Sequence, residues 1–359
     1  MNILRLATWL HEAQTSVWLL APEGSPTAQE ARQFPDLPFA HFASSQKYFN
    51  LRAAYRLAKG LKKKEVKVLL LAQSKDLYLA ALAKRLFYPA LKLVYLQQMW
   101  LGGKKRDLLH SLVYGQLSAW IAPLGVIAES VRQKTRLDSA KIHLIPLCFD
   151  TARFVPEEEA KTKARQVLQL PPDVFLAGLV GRIDPGKGQE YLIEALALLR
   201  QEGLPIEILL LGEETKGEEG RYLPYLQKQV QQEGLEPFVH FRPFTRQIAQ
   251  AYASLDVFCM TSKAETFGMV TVEAMASGLP VIGTASGGTP ELIQSEETGI
   301  LIPPQDAMAL AQAIAYLYQN PEKARLLGQK AQASVQARFH YRVQVEKIQA
   351  LWQKLMEKP

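Results

Sequence analysis

Short, wholly apolar runs alternate with segments of helical spacing through the second half of the chain, and this limits the possible folds more than any other feature. The runs are FLAGLVG (175–181), IEILLLG (206–212), VHF (239–241), DVFCM (256–260), PVIG (280–283) and GILIP (299–303). Between them, residues 188–201, 221–233, 245–253, 268–277 and 306–318 read as helices. Strands that are apolar along their whole length are buried on both faces, and strands separated by helices pair in parallel through crossovers. A parallel sheet covered on both sides follows.

The first half has the same texture, less regularly. Strands are expected at 2–7, 17–21, 66–72, 91–96, 118–122 and 142–146, with helices at 48–61, 76–88 and 106–117. The 359 residues suffice for two such domains, since a domain takes about 100–200 residues. The texture changes at FVPEEEAKTKARQVLQLPPDVF (154–175), an acidic helical stretch closed by Pro171 and Pro172. The linker is placed just before it. The tail, from about Tyr341 to Lys358, has helical spacing of Val343, Ile348, Leu351, Trp352 and Leu355.

Composition removes several classes of function. Hydrophobic residues make up 48% and charged residues 21%, which describes an ordinary globular protein and not a disordered one. No apolar run approaches the ~18–20 residues of a membrane-spanning helix, and MNILRLATWLHEAQ lacks a basic-then-apolar leader. The cytoplasm is therefore the expected address. Cys148 and Cys259 are too far apart to suggest a disulfide framework or a zinc site, and the six histidines contain no HExxH pattern. Residues 1–150 carry 21 Lys and Arg against 10 Asp and Glu, whereas 151–359 carry 21 against 25. The basic first half favours anionic partners such as nucleic acid, an acidic membrane or a phosphorylated substrate.

Three strand-to-loop-to-helix passages carry the chemistry. In GLVGRIDPGKGQEYL (178–192) a strand ends at Gly181, and Arg182 and Lys187 project from a loop punctuated by Pro185, Gly186 and Gly188. Ligands bind at strand carboxyl ends in such sheets, and Arg with Lys suits a diphosphate. Alone, the stretch also reads as a surface turn with two solvated cations. In SKAETFGMVTVEAMASGLPVIGT (262–284), Glu265 lies in a loop and Glu273 is the single charge of the helix that follows. A buried carboxylate needs hydrogen-bond partners; sugar or ribose hydroxyls, or internal donors, would serve. The amides of Phe267, Gly268 and Met269 fall at that helix's N-terminus, a second anion-binding device. The third passage, GTASGGTPELI (283–293), places Gly287 and Gly288 in a further loop, so that three loops would converge on one site.

With these motifs the sequence resembles the group 1 glycosyltransferases, retaining enzymes of GT-B fold. The resemblance rests on GRIDPGKG, on the two glutamates within SKAETFGMVTVEAMASGLPVI, and on ASGGTPELI with TGILIPPQD, and covers roughly residues 142–335. It implies an α/β protein of two Rossmann-like domains facing across a cleft: an acceptor-side domain of 1–158, a nucleotide-sugar-binding domain of 159–340, and a helix of 341–359 returning to the first. It also implies donor binding by Gly181, Arg182, Lys187, Glu265, Thr266, Phe267, Gly268, Met269 and Glu273. Arg182 and Lys187 would hold the diphosphate, Glu265 the transferred sugar and Glu273 the ribose. His11, Gln98 and Trp100 are the acceptor-side candidates, with Trp9 as a possible sugar-stacking ring. Two departures stand out: ATWLHEAQTS (7–16) lacks the glycines many relatives have there, and QQMW (97–100) lacks their histidine.

The implied activity is transfer of a hexose-type sugar from a nucleotide-diphosphate sugar to a glycan or glycolipid, in bacterial-type cell-surface polysaccharide or lipopolysaccharide synthesis. Neither cofactor nor metal is expected, because no Asp-x-Asp motif is present to bridge a divalent ion to the diphosphate. A GT-B nucleotide-sugar epimerase and a non-catalytic sugar-binding module are the alternatives. A basic amphipathic helix within KYFNLRAAYRLAKGLKKKEVK (47–67) sets Arg52, Arg56, Lys59 and Lys63 opposite Leu51, Ala54, Leu57, Ala58 and Leu61. Peripheral contact with an anionic membrane through this segment is expected, and nucleic acid is not.

Overall fold

The computed structural model describes residues 3–42, 50–157, 160–215, 217 and 219–357. Two compact units emerge, one of residues Met1–Phe149 with Phe339–Pro359 and one of residues Asp150–Arg338.

In the first unit, β1 (Leu19–Ala21) and β2 (Phe39–His41) form a parallel pair. A separate parallel sheet runs in the order β3 (Val68–Leu71), β4 (Lys92–Leu96), β5 (Leu117–Ala122) and β6 (Ile142–Leu144). The strand expected over 2–7 is instead a helix, Ile3–Glu12, burying Leu4, Leu6, Ala7 and Leu10. A short apolar run does not by itself separate strand from buried helix. Here Leu, Arg, Ala and Glu favour the helix, and the closing helix Tyr341–Glu357 lies alongside it. Trp9 stacks on Tyr341 at 5.0 Å, which places that ring in a packing contact. Gln349 donates to the Thr15 hydroxyl at 2.8 Å, tying the tail to the residues just after the first helix.

Helix Leu51–Lys63 is capped by Asn50, whose side chain accepts from the amide of Ala53 at 2.9 Å. It buries Ala54, Leu57, Ala58 and Leu61 in the core of the first unit, and Leu51 lies on the exposed face with Arg52, Arg56, Lys59 and Lys63. Residues 47–49 of the basic segment lie outside the described residues. Where the chain re-enters the first unit, Phe149 donates to the carbonyl of Phe339 at 3.1 Å and Tyr341 donates back to that of Phe149 at 3.0 Å.

The second unit is built on β7 (Phe175–Val180), β8 (Ile206–Leu211), β9 (Val239–Arg242), β10 (Val257–Met260), β11 (Val281–Thr284) and β12 (Ile300–Ile302). All pair in parallel, in the order β12-β11-β10-β7-β8-β9. The six apolar runs become these strands because helices cover both faces. β7 lies between β8 and β10, so the direction of winding reverses there. At such a switch point the carboxyl ends of the strands open a crevice.

One buried charge network fastens the start of the unit. Helix Ala160–Val167 carries Arg165, which donates to Asp256 at 2.7 Å, to the carbonyl of Ser254 at 3.0 Å and to that of Pro172 at 2.6 Å. The amide of Leu176, on β7, donates to the same Asp256 oxygen at 2.7 Å, and Lys161 pairs with its other oxygen. A further helix, Pro321–Phe339, precedes the return to the first unit. Among the described residues no helix is long and apolar enough to cross a membrane.

Candidate active site

A pocket of about 560 Å³ opens at the carboxyl ends of β7, β8 and β10, within the volume common for small-molecule sites. Each of these strands supplies one wall through the loop that follows it.

The loop after β7 brings Gly181, Arg182 and Lys187 to the pocket. Its shape is held internally: Asp184 accepts from the amide of Gly186 at 2.8 Å, and Gln189, fully buried, donates to the carbonyl of Arg182 at 2.8 Å. Gly188, the N-cap of helix Gln189–Gln201, has φ +70°. A Cβ there would sit 2.4 Å from the carbonyl oxygen of Thr261, so only glycine lets the two loops close on each other. Arg182 is 64% exposed, reaches Thr215 at 3.4 Å and lies 3.8 Å from the Asp184 carboxylate, so its guanidinium sits at the pocket surface within reach of a ligand.

The loop after β10 carries Glu265. Its carboxylate pairs directly with the Lys187 ammonium and accepts from Ser262 at 3.0 Å. The Lys187 ammonium and the Glu265 carboxylate therefore neutralise each other on the pocket wall. Helix Met269–Ala276 starts at Gly268 with no side-chain cap, and Gly268, Met269 and Val270 line the pocket. Uncapped amides at that end are available to an anion. Phe267 is buried at 3% exposure, and neither it nor Thr266 lines the pocket. Glu273 lines the deeper wall, where the Tyr252 hydroxyl donates to it at 2.9 Å. Complete burial, reinforced by the charge of Glu273, holds the Tyr252 phenol well above its usual pKa, so it remains a donor. One internal partner that the sequence left open is thereby identified.

The remaining wall was less legible in the sequence. Phe244, Thr245 and Arg246 follow β9 and line the pocket, with the Phe244 side chain 58% exposed. Glu213 and Glu214 follow β8. Glu214 accepts from the amides of Leu223, Gly220, Tyr222 and Arg221, and those bonds draw its pKa below the usual carboxylate range. It is thus a cap for helix Tyr222–Gln232 before it is a ligand group. Gly287 and Gly288 do not line the pocket; they lie behind Glu265.

The acceptor-side candidates lie in the first unit. His11 occupies the last turn of helix Ile3–Glu12 and is half-buried. Gln98 and Trp100 are half-buried in the segment after β4. Their neighbour Gln97 is the buried one, accepting from the Trp120 indole at 2.8 Å and donating to the carbonyl of Met99 at 2.8 Å. Among the described residues there is no cluster of His, Cys, Asp and Glu able to hold a metal.

Solved structures share this architecture over nearly the whole chain. Anabaena HepE, crystallised with UDP, is 23% identical and covers 98% of this chain and 96% of its own, with a TM-score of 0.84. A glycosyltransferase from Rickettsia africae is 18% identical and covers 100% and 94%, with a TM-score of 0.88. The fold is therefore GT-B, an α/β architecture built on parallel sheets. The Glycosyl transferases group 1 family model matches residues 160–334 and the Glycosyltransferase Family 4 model matches residues 2–153. The chain belongs to the group 1 glycosyltransferases. A D-inositol 3-phosphate glycosyltransferase of Corynebacterium urealyticum is 29% identical over 229 residues, 61% of this chain and 53% of that protein. The alignment thus spans about half the length of such curated relatives.

Proposed function

We propose that the protein transfers a hexose-type sugar, with retention of configuration, from a nucleoside-diphosphate sugar to an anionic glycan or glycolipid acceptor. The convergence of Arg182, Lys187, Glu265 and the uncapped amides of helix Met269–Ala276 on one pocket carries this reading. Two cations and a helix N-terminus suit a diphosphate, and a carboxylate beside them suits sugar hydroxyls. In the front-face reaction, the bond from the anomeric carbon to the diphosphate oxygen breaks and the acceptor oxygen bonds to the same face. The acceptor proton passes to the departing diphosphate, so no protein base is required. Arg182, Lys187 and the amides stabilise the charge that grows on the leaving group. Glu273, held from behind by the Tyr252 hydroxyl, forms the ribose end of the pocket, and Phe244 with Arg246 the base end.

Because Anabaena HepE was crystallised with UDP and with UDP-glucose, UDP-glucose is the first donor to test, followed by GDP- and ADP-sugars. Acceptor-dependent release of nucleoside diphosphate supports transfer. Interconversion of the sugar without release would establish an epimerase, and binding without turnover a sugar-binding module. Transfer is expected to persist in EDTA, since cationic side chains replace a bridging metal. Complete loss that Mn²⁺ or Mg²⁺ restores would refute this.

An anionic acceptor fits the basic first half, and the name of the Corynebacterium relative includes a phosphorylated compound, D-inositol 3-phosphate. Cell-surface polysaccharide or lipopolysaccharide synthesis at the inner face of a membrane is the corresponding setting. The basic face of helix Leu51–Lys63 is exposed together with Leu51 and Tyr55, while Ala54, Leu57, Ala58 and Leu61 are committed to the core, so membrane contact here is mainly electrostatic. At ~1 kcal/mol per nearby cation, several cations give reversible, salt-sensitive attachment. Co-sedimentation is expected with phosphatidylglycerol vesicles at low salt and not with neutral ones. Failure to bind the anionic vesicles at low salt, with or without donor, rejects attachment alone.

A further inference from the structure

The loop after β11, ASGG (285–288), does not touch the pocket, yet it makes a row of bonds to the loop that carries Glu265. The Thr284 hydroxyl donates to the carbonyl of Ser262 at 2.7 Å, the Ser286 hydroxyl to that of Lys263 at 2.6 Å, and the Gly288 amide to that of Glu265 at 2.8 Å. Gly287 has φ +58°, and a Cβ there would lie 2.4 Å from the carbonyl oxygen and 2.7 Å from the nitrogen of Glu265. Those are backbone atoms and cannot swing aside. From the opposite side, the Thr261 hydroxyl is bonded to the carbonyl of Lys187 at 2.8 Å and the Lys263 amide donates to that of Gly186 at 3.1 Å. The Glu265 loop is therefore clamped between the Lys187 loop and the Ser286 loop.

We propose that Ser286 and Gly287 are positioning residues for Glu265, acting through the backbone of its loop and not through contact with the donor. This rests on the sugar-handling role of Glu265 argued above. A carboxylate that must meet a sugar hydroxyl in the transition state tolerates little displacement, because a shift of 1 Å at a reacting group costs on the order of 10²-fold in rate. The diphosphate is held by other elements, the β7 loop and the amides of helix Met269–Ala276. Loss of the clamp should therefore appear in the sugar-transfer step and spare nucleotide binding.

The test compares kcat, donor KM and UDP affinity in four variants. Ser286→Ala removes the bond to the Lys263 carbonyl and the longer one to the Thr284 hydroxyl and should lower kcat by about 10-fold, with UDP affinity within about twofold of wild type. Ser286→Thr, which keeps the hydroxyl, should recover most of that loss. Gly287→Ala, which displaces the Glu265 backbone, should lower kcat by about 100-fold. Glu265→Gln is the reference. Wild-type kcat in Ser286→Ala, equal impairment in Ser286→Ala and Ser286→Thr, or parallel loss of UDP binding and kcat would each overturn the positioning role. If Glu265→Gln turns over like an active wild type, the reading of Glu265 falls and takes this role with it. If Glu265→Gln is impaired and Ser286→Ala is not, only the positioning role falls.

Discussion

Replacing Arg182 and Lys187 together by alanine is expected to reduce sugar transfer by about 10⁴-fold or more while leaving the fold intact. Each cation faces the site where the diphosphate departs, and loss of one charged transition-state contact costs ~3–4 kcal/mol, or a few hundredfold. Arg182 is largely exposed and Lys187 lies on the pocket wall, so neither substitution opens a core cavity. Lys187 has a second effect through its pairing with Glu265. Without Lys187, an unopposed carboxylate remains beside the incoming diphosphate and repels it. Glu265→Gln should act oppositely on binding: UDP binds more tightly because Lys187 no longer has to exchange partners, even as transfer is lost. Rates of nucleoside diphosphate release and UDP titrations would measure both effects. A double alanine variant with wild-type turnover would remove the site assignment, and weaker UDP binding by Glu265→Gln would remove the partner-exchange argument.

The second large effect concerns stability. Asp256→Ala should destabilise the protein by ~3–5 kcal/mol, because breaking a buried pair leaves the remaining charge without compensation. Arg165 is only 4% exposed and keeps two carbonyl partners, but its one carboxylate partner among the described residues is Asp256. The Leu176 amide, at the start of the β7 region, would also lose its acceptor. Urea denaturation should show a lower midpoint with an unchanged slope. Replacing the pair together, Asp256→Leu with Arg165→Met, should cost less than Asp256→Leu alone. A shift below about 1 kcal/mol in Asp256→Ala would show that water reaches the site and screens Arg165.

How legible these features were in the sequence depended on whether a local pattern had a single physical solution. The six apolar runs of the second half had one, since strands of that length and hydrophobicity must be buried on both faces; β7 to β12 form where they lie. Residues 2–7 had two, and the partner that selects the helix, Tyr341–Glu357, is more than three hundred residues away. Helix Pro321–Phe339 was overlooked although Leu327, Ala331 and Val335 recur at i+4 spacing; the small residues between them blur the stripe. In the site, Arg182, Lys187, Glu265 and Glu273 announced themselves as charges in apolar or glycine-rich surroundings. Tyr252 and Ser262 did not, because one buried phenol or hydroxyl looks like any other until the group it bonds is known. The glycines at 287 and 288 were visible, but spacing alone does not distinguish a backbone that approaches a phosphate from one that approaches another loop.

The first unit is assembled from two separated stretches of chain, and the second unit is one continuous stretch between them. A ribosome delivers these pieces in order, at about 5–20 residues per second. The nascent first unit therefore waits, with Trp9 of helix Ile3–Glu12 lacking the Tyr341 ring on which it stacks, while residues 150–338 are made. The later-synthesised unit has all of its sequence first. Its folding also brings Phe339 towards Phe149, whose backbone bonds it, and so shortens the search by which the final helix finds its place. The interval before that helix arrives, and not the finished protein, is when the Trp9 side of helix Ile3–Glu12 is open to chaperones and to aggregation.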